Sequence, residues 1–377
     1  MPERLPLQPL LSALKHPEVL VSYSGAQWDQ LMRLARAGDL VSRVAALARQ
    51  HGIWDDLLPA ARRHLRAAEL LCQRQHTELG YEAQEIALAL KGLPGPVVVL
   101  KGAAYVLSGL DAGRGRMLGD VDVLVPRAQL ADAESALMLA GWMSSSSDYD
   151  QHYYRQWMHE LPPMTHIKRG TVLDVHHAIL PSTARLSPPT ASLMQQIVPT
   201  GHVSGLWMLG PADMVLHSAV HLMHEGELEM GLRGLVDLDA LLSEFGPRSG
   251  FWPSLLARAR ELNLGRPLHH VCWLLQEFLG SAIPEDFVQG LSQVSGARSG
   301  AVSSALTGWA LRLAMVPRHP EADVVWSPLA RQLIYLRGHW MRMPAHLLAA
   351  HLGRKAWIAA TQGWREARAQ KETARRP

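Results

Sequence analysis

Three aspartates stand in patterns that predict strands, and their spacing suits the binding of divalent metal ions. Asp120 and Asp122 alternate with Val121 and Val123, so both carboxylates project to one face of the predicted strand. Two neighbouring carboxylates repel each other, and a Mg²⁺ or Mn²⁺ ion with oxygen ligands would remove that repulsion. Asp174 lies in a later apolar strand pattern and would complete a three-carboxylate cluster if the two strands are neighbours. The alternative is a structural Asp-x-Asp, because turns and helix starts often carry this spacing.

A turn ahead of these aspartates has the features of a phosphate site. The run 97–100 (Val-Val-Val-Leu) predicts a buried strand, Lys101 and Gly102 form the turn, and a helix is predicted from Ala103 to Leu110. Gly102 would allow close approach of a phosphate to the backbone, and Lys101 would supply a positive charge. The alternative is an ordinary strand-to-helix turn with a solvated lysine.

Three further side chains are candidates for nucleotide binding. Arg114 and Arg116 lie in a glycine-rich loop just before the aspartates, where arginines could bind a triphosphate. A solvated basic loop is the competing interpretation. His176 shares a strand face with Asp174 and could orient a carboxylate or contact the nucleotide, and a purely structural histidine is an equal alternative.

A later predicted helix carries His217, His221 and His224 on one face. The His-x₃-His spacing could bind zinc, but packing and hydrogen bonding are favoured because no cysteine cluster or catalytic glutamate accompanies it. Arg233 and Asp237 are four residues apart on the next predicted helix, and we expect them to pair with each other.

The elements that position these residues predict an α+β fold, helical overall, with a small mixed sheet as its core. Residues 1–92 are predicted to form an N-terminal helical region, 93–200 the nucleotide-binding α/β core, and 201–377 a C-terminal helical region. The N-terminal region contains an apolar stripe of Cys72, Leu79, Ala83, Ile86 and Leu90. Strands are expected near 97–100, 121–125, 152–155, 165–168 and 171–176, and helices near 126–140, 211–223, 232–244, 252–262, 265–279 and 298–314.

Composition narrows the class of protein. Hydrophobic residues make up 48% of the 377 residues and charged residues 19%, which predicts a globular chain. The net charge of +3 is too small to indicate nucleic-acid binding by itself. Two distant cysteines, Cys72 and Cys272, favour a reduced, cytoplasmic setting, and neither a secretory signal nor a transmembrane helix is expected. The basic, tryptophan-containing stretch 327–366 could touch a membrane surface or an acidic partner, but such stretches are usually just solvated.

The run from Val97 to Trp142 resembles the uncharacterised nucleotidyltransferase family of the polymerase-β-like superfamily. The resemblance is carried by Lys101-Gly102, by Asp120-Val121-Asp122, and by the later Asp174-Val175-His176. A histidine-rich helix followed by an Arg…Asp helix is a further similarity. The wider superfamily has Gly-Gly or Gly-Ser at the phosphate turn, where this chain has Lys-Gly-Ala, so the mode of phosphate binding is left open.

The resemblance implies transfer of an NMP group from an NTP, such as ATP, to a hydroxyl acceptor with release of pyrophosphate. It also implies that Asp120, Asp122 and Asp174 bind Mg²⁺ or Mn²⁺. The acceptor stays open between a small molecule, a sugar, a protein and an RNA end. Two other classes compete: a metal-dependent glycosyltransferase that uses a nucleotide sugar, and a non-catalytic nucleotide-binding or regulatory protein on the same fold.

Overall fold

A single seven-stranded sheet organises the chain in a computed structural model that describes residues 6–144, 157–295, 301–344 and 348. The sheet has the order β3-β4-β5-β2-β1-β7-β6 and is mixed. Its strands are β1 Val97–Val99, β2 Val121–Leu124, β3 Trp142–Ser144, β4 Met164–His166, β5 Val172–His176, β6 Ile197–Pro199 and β7 Leu206–Leu209.

Helices make up 60% of the structure, which confirms the predicted α+β, mainly helical class. The helices before and within the first part of the sheet are α1 Gln8–Lys15, α2 Gly25–Ala37, α3 Val41–Gln50, α4 Pro59–Ala89, α5 Lys101–Leu107 and α6 Leu130–Leu139. Those that follow are α7 Thr190–Met194, α8 Pro211–His224, α9 Gly231–Phe245, α10 Phe251–Glu261, α11 Gly265–Leu279, α12 Glu285–Val294, α13 Ala301–Ala314 and α14 Ser327–Arg342. Short 3₁₀ helices lie at Pro17–Ser22, Trp54–Asp56, Asp111–Gly113 and Arg127–Gln129.

The centre of the sheet is apolar because β-branched residues dominate its strands. All residues of β1 and β2 are buried, and β1 pairs antiparallel with β2, with Val98 opposite Leu124. On the other side of β2, β5 runs parallel to it, while β7 runs parallel to β1. The pairing of β2 with β5 thus fixes which residues are neighbours across the two strands and places Asp122 beside Asp174.

Most of the predicted helices and strands are present in the structure, although their ends differ by a few residues and some observed strands were not predicted. The strands expected near 165–168 and 171–176 are observed as β4 and β5, and the strand expected near 152–155 lies outside the described residues. The part of the 298–314 helix that the structure describes begins at Ala301. Strands β3, β6 and β7 were not predicted, and β7 extends the sheet past residue 200. The division of the chain into three domains therefore stays a prediction.

Helix α4 braces the loop that leads into β2. Its apolar stripe, from Cys72 to Leu90, is buried as predicted. On the same helix Gln75 forms two hydrogen bonds with the backbone of Leu118, and His76 Nε2 lies 2.8 Å from the carbonyl oxygen of Arg116. The amphipathic helix thus fixes the loop just before Asp120.

The C-terminal helices close the other side of the sheet. Helix α8 packs against α9, α10 and α11 and also contacts β7 and α5. Within the part of the chain that the structure describes, no helix is long and apolar enough to cross a membrane. The basic stretch predicted over 327–366 begins as helix α14, and its remainder, apart from 343, 344 and 348, lies outside the described residues.

Candidate active site

Two of the predicted carboxylates face each other across neighbouring strands. Asp122 on β2 is in register with Asp174 on β5, so both lie on one face of the parallel pair. Asp120 lies two residues before Asp122 and is exposed, whereas Asp122 is only 4% exposed. One carboxylate oxygen of Asp174, Oδ1, is buried and has no hydrogen-bond partner among the described residues. The predicted neighbourhood of these strands is therefore confirmed.

Asp122 has two strong partners on one oxygen. Its Oδ1 accepts a hydrogen bond from Lys101 Nζ at 2.8 Å and lies 2.8 Å from His176 Nε2. Burial alone would raise the pKa of Asp122, but the positive charge of Lys101 and the hydrogen bond from His176 lower it far below its usual range. Asp122 is therefore ionised at neutral pH.

Lys101 reaches this position through an uncommon backbone conformation. It begins α5, one residue after the end of β1, and has φ +48°, in the left-handed region that few residues with a Cβ occupy. The amide of Leu100 donates to the carbonyl oxygen of Asp122 at 3.0 Å, which holds the end of β1 beside the aspartate. Burial alone would lower the pKa of Lys101, but Asp122 outweighs it and raises that pKa. The lysine is thus charged and directed at the carboxylates.

Among the three aspartates, Asp174 has the carboxyl group whose ionised form is most strongly disfavoured. Burial and the negative charges of Asp122, Glu160 and Asp120 raise the pKa of Asp174 to about 7. The pKa of Asp120 is raised as well, by partial loss of hydration where its carboxylate faces the cavity and by the charge of Asp122, although the residue as a whole is exposed. This excess of negative charge favours a cation between the strands.

A cavity of about 280 Å³ opens above the carboxylates. One wall carries the polar ends of the strands, and the opposite wall is the last part of α8 with the end of α14. Its lining comprises Lys101, Asp120, Met158, His159, Glu160, Asp174, His176, Ile179, Leu180, Pro181, His217, His221, His224, Glu225 and Arg342. Asp120, Asp174 and the histidine face of α8 therefore meet in one space, and the buried Asp122 contacts two of its lining residues, Lys101 and His176.

The α8 histidines are neutral at physiological pH. Burial and the nearby charge of Lys101 lower the pKa of His217 to about 3, and the same two causes, with Lys101 the larger, lower that of His221 well below its usual value. His224 is buried, and its Nδ1 lies 2.9 Å from the carbonyl oxygen of Val220. Among the described residues these three histidines do not form a group with metal-ligand spacing, and their structural role stays a prediction.

Three of the predicted nucleotide-binding residues lie away from the cavity. A Cβ on Gly102 would come within 2.7 Å of Leu118 Cδ2 and 3.4 Å of Arg116 Cζ, so protein packing explains this glycine. Arg116 Nε lies 2.8 Å from Asp237 Oδ2, in an ion pair whose two side chains are 13% and 11% exposed. Arg114 is exposed and lies 3.5 Å from Asp111 through its Nε. Gly102, Arg114 and Arg116 do not line the cavity.

The expected pairing of Arg233 with Asp237 is wrong. Arg233 forms its ion pair with Asp39, next to the N-terminal helices, and Asp237 is taken by Arg116. A spacing of four residues allows a pair on one helix, but here both side chains turn to partners on other elements. This arrangement ties α9 to the loop that precedes β2.

Sequence reasoning missed several polar residues of the cavity, among them His159, Glu160 and Glu225. His159 and Glu160 lie in a short segment alongside the end of β5, where Glu160 forms an isolated antiparallel bridge with His176. No strand pattern or motif spacing marks this segment in the sequence. Only the tertiary fold brings these side chains beside His176.

A comparison with models of protein families shows to which family the chain belongs. The family model described as uncharacterised nucleotidyltransferase matches residues 24–280. The chain belongs to this family. No curated protein and no solved structure matches the chain. The matched range includes the sheet, the carboxylates, the α8 histidines and α9, so the family relationship covers the candidate active site except for Arg342 at the end of α14.

The residues of this family member suit the hard divalent cation that nucleotidyltransferases generally use. Asp120, Asp122 and Asp174 offer carboxylate oxygens, which Mg²⁺ prefers, and Asp174 Oδ1 is buried without a partner. The raised pKa values of Asp120 and Asp174 also indicate a site that lacks positive charge. Donor chemistry and electrostatics therefore both fit a metal at this position.

Proposed function

We propose that this family member transfers an NMP group from an NTP to a hydroxyl acceptor and releases pyrophosphate. The observation that carries this proposal is the register of Asp122 with Asp174, with Asp120 two residues earlier, at the mouth of a cavity that also contains Lys101. In the reaction, the acceptor oxygen forms a bond to the α-phosphorus, and the bond to the bridging oxygen of pyrophosphate breaks. The acceptor loses one proton, and pyrophosphate leaves with the electron pair.

The aspartates would bind Mg²⁺ or Mn²⁺ through their carboxylate oxygens. Such ions neutralise the triphosphate and stabilise charge on the attacking and leaving oxygens. Asp174 would also help to remove the acceptor's proton, because a carboxylate beside the metal-bound acceptor hydroxyl can serve as its base.

Lys101 would bind the triphosphate. In the metal-free protein its Nζ is held by Asp122 Oδ1 at 2.8 Å. A metal on Asp122 would compete for that carboxylate, and the lysine could then contact phosphate oxygens within the same cavity. His176 holds Asp122 from the other side through its Nε2 and acts as a positioning residue. Arg116 would act through structure, because Asp237 and the backbone of the loop occupy its guanidinium.

The acceptor would enter from the α8 side. His217 and His221 line that wall as neutral rings that can donate or accept hydrogen bonds, and Ile179 and Leu180 add apolar surface. These features suit an acceptor that has both a hydroxyl and an apolar part.

A glycosyltransferase that uses a nucleotide sugar is less well supported. The family relationship favours nucleotidyl transfer, and the described chain has one small mixed sheet rather than a large parallel nucleotide-binding domain.

The test is the melting temperature of the purified chain with each of the four common NTPs, with and without Mg²⁺. At a nucleotide concentration of about 100 times Kd, stabilisation of about 2.7 kcal/mol is expected. The increase should require the metal and should disappear in Asp174→Asn. Asp132→Asn, an exposed aspartate on α6, is the matched control and should respond like the wild type.

Two results would contradict the proposal. One is the absence of any metal-dependent stabilisation by the four NTPs. The other is an undiminished response in Asp174→Asn, because the nucleotide would then bind away from the aligned carboxylates. Stabilisation by a nucleotide sugar but by none of the NTPs would favour the glycosyltransferase.

A further inference from the structure

A second group of metal-ligand side chains lies at the edge of the same cavity. The backbone positions it: Leu161 N donates to Val175 O at 2.8 Å, and His177 N donates to His159 O at 2.8 Å. The segment 159–161 therefore runs antiparallel beside the end of β5. This pairing places the side chains of His159 and Glu160 next to His176.

The distances within this group are close to those of a metal coordination sphere. Glu160 Oε2 lies 3.1 Å from His176 Nδ1 and 3.9 Å from His159 Nε2. One ligand atom from each of the three residues lies within 4.8 Å of the others. Tetrahedral ligands with bonds of about 2.1 Å are about 3.4 Å apart, so rotamer adjustments of a few tenths of an ångström to about 1 Å would close the group around an ion.

The hydrogen bonding of His176 leaves its ring nitrogen Nδ1 available to bind an ion. Its Nε2 lies 2.8 Å from Asp122 Oδ1, so Nε2 carries the proton in a neutral ring and Nδ1 carries the lone pair. His176 is only 3% exposed, and its Nδ1 is buried without a hydrogen bond among the described residues. A lone pair that faces the Glu160 carboxylate at 3.1 Å is repelled, and either a second proton or a cation removes that repulsion.

The carboxylate behind the ring favours the cation. Histidines that bind metals usually donate their other N–H to a carboxylate, which fixes the tautomer and makes the ligand more basic. Asp122 stands in this relation to His176. Two imidazoles and one carboxylate are the ligands of zinc and related transition metals, whereas carboxylates alone suit Mg²⁺.

We propose that His159, Glu160 and His176 form a binding site for one divalent transition-metal ion, of the zinc, manganese or cobalt class. The site is distinct from the Asp120 and Asp174 oxygens, which would bind Mg²⁺. The two sites have only Asp122 in common, and Asp122 orients His176 through its contact with the ring nitrogen Nε2. The site does not depend on nucleotidyl transfer, since its ligands are fixed by the fold alone.

The experiment is a titration of the chelator-treated full chain with Zn²⁺ by calorimetry and with Co²⁺ by visible absorption. No nucleotide is present, and Mg²⁺ is in large excess. One ion per chain should bind in spite of the Mg²⁺. His159→Gln should weaken binding by at least about 10-fold, and Asp122→Asn by about 10- to 100-fold through loss of its support for His176. Asp174→Asn should still bind, and His51→Gln, an exposed histidine, is the matched control.

X-ray absorption spectroscopy of the zinc-loaded wild type keeps the test valid if His159→Gln does not fold. Two imidazole ligands in the first coordination sphere support the site. The proposal is overturned if no ion resists Mg²⁺, if fewer than two imidazoles coordinate, or if folded His159→Gln binds as well as the wild type. Loss of binding in Asp174→Asn with retention in His159→Gln would also overturn it, because the ion would then lie on the aspartates. Since no nucleotide is used, failure of the proposed transfer reaction leaves this result unaffected.

Discussion

The carboxyl group of Asp174 gives the metal-free protein a defined pH dependence. Its folded-state pKa is about 7, raised by burial and by the charges of Asp122, Glu160 and Asp120, whereas an unfolded aspartate has a pKa of about 3.9. Below about pH 4 both states are protonated, and the group has no effect on stability. Between the two pKa values the folded state binds more protons, so stability falls as pH rises and the loss is complete above about pH 7.

The size of this effect follows from the two pKa values. From about pH 5 to about pH 8 the free energy of unfolding falls by about 2.6 kcal/mol for the full shift. Asp174 is partly exposed, and screening by solvent reduces the expected loss to about 1–2 kcal/mol. For a chain of this length, that corresponds to a decrease in melting temperature of about 1–3 °C.

The assay is the melting temperature of chelator-treated protein across this pH range, by circular dichroism or dye binding. The neighbouring Asp120, Glu160 and α8 histidines titrate in both proteins, so the effect of Asp174 is read as a difference. As pH rises from about 5 to about 8, Asp174→Asn should gain about 1–3 °C in melting temperature relative to the wild type, and the exposed control Asp132→Asn should gain nothing. Saturating Mg²⁺ should also flatten the wild-type profile, because the ion compensates the ionised carboxylate. An unchanged pH profile in Asp174→Asn would refute the reasoning, since Asp174 would then not titrate near neutrality.

Two further predictions concern residues of the loop that precedes β2, which holds the aspartates in place. Arg116→Met should lower the free energy of unfolding by about 3–5 kcal/mol, because it leaves the Asp237 carboxylate buried without its partner, and the double variant with Asp237→Leu should recover part of the loss in a denaturant titration. Gly115→Ala should destabilise by more than about 2 kcal/mol, because φ is +69° and a Cβ would collide with the backbone of Ser42. Gly109→Ala, with φ +66° and open space around its Cβ, should cost only about 1 kcal/mol in the same measurement, and equal losses at both glycines would contradict the collision.

The sequence predicts the strands that carry the chemistry because their pattern is local. Alternation of Asp120 and Asp122 with valines places both on one face, and a second apolar strand around Asp174 makes their pairing the simplest arrangement. The structure confirms this register. The amphipathic stripe of α4 is predictable for the same reason, since a repeat along one helix needs no knowledge of its partner.

The missed features depend on tertiary contacts. Strands β6 and β7 are short, and the pattern at 197–199 and 206–209 is too brief to separate from loop. Arg116 looked like a phosphate ligand because it precedes the aspartates, yet the buried carboxylate of Asp237 lies 121 positions away in sequence and binds it. His159 and Glu160 carry no motif at all, and they enter the cavity only because their segment pairs with the end of β5.

The role of Lys101 connects these observations. Two side chains, Lys101 and His176, share one oxygen of Asp122, so the negative charge of this ionised carboxylate is stabilised by the protein itself. Asp174 has no such partner for its buried oxygen, and its pKa is raised instead of lowered. The two aligned aspartates therefore differ in charge at neutral pH although the backbone treats them alike. A metal-bound triphosphate would reverse this asymmetry, because the ion stabilises the Asp174 carboxylate and the phosphates offer Lys101 a new anion. If the proposed transfer is right, Lys101-Gly-Ala, where the wider superfamily has Gly-Gly or Gly-Ser, would supply a cation that holds Asp122 before the nucleotide binds and contacts the phosphates afterwards.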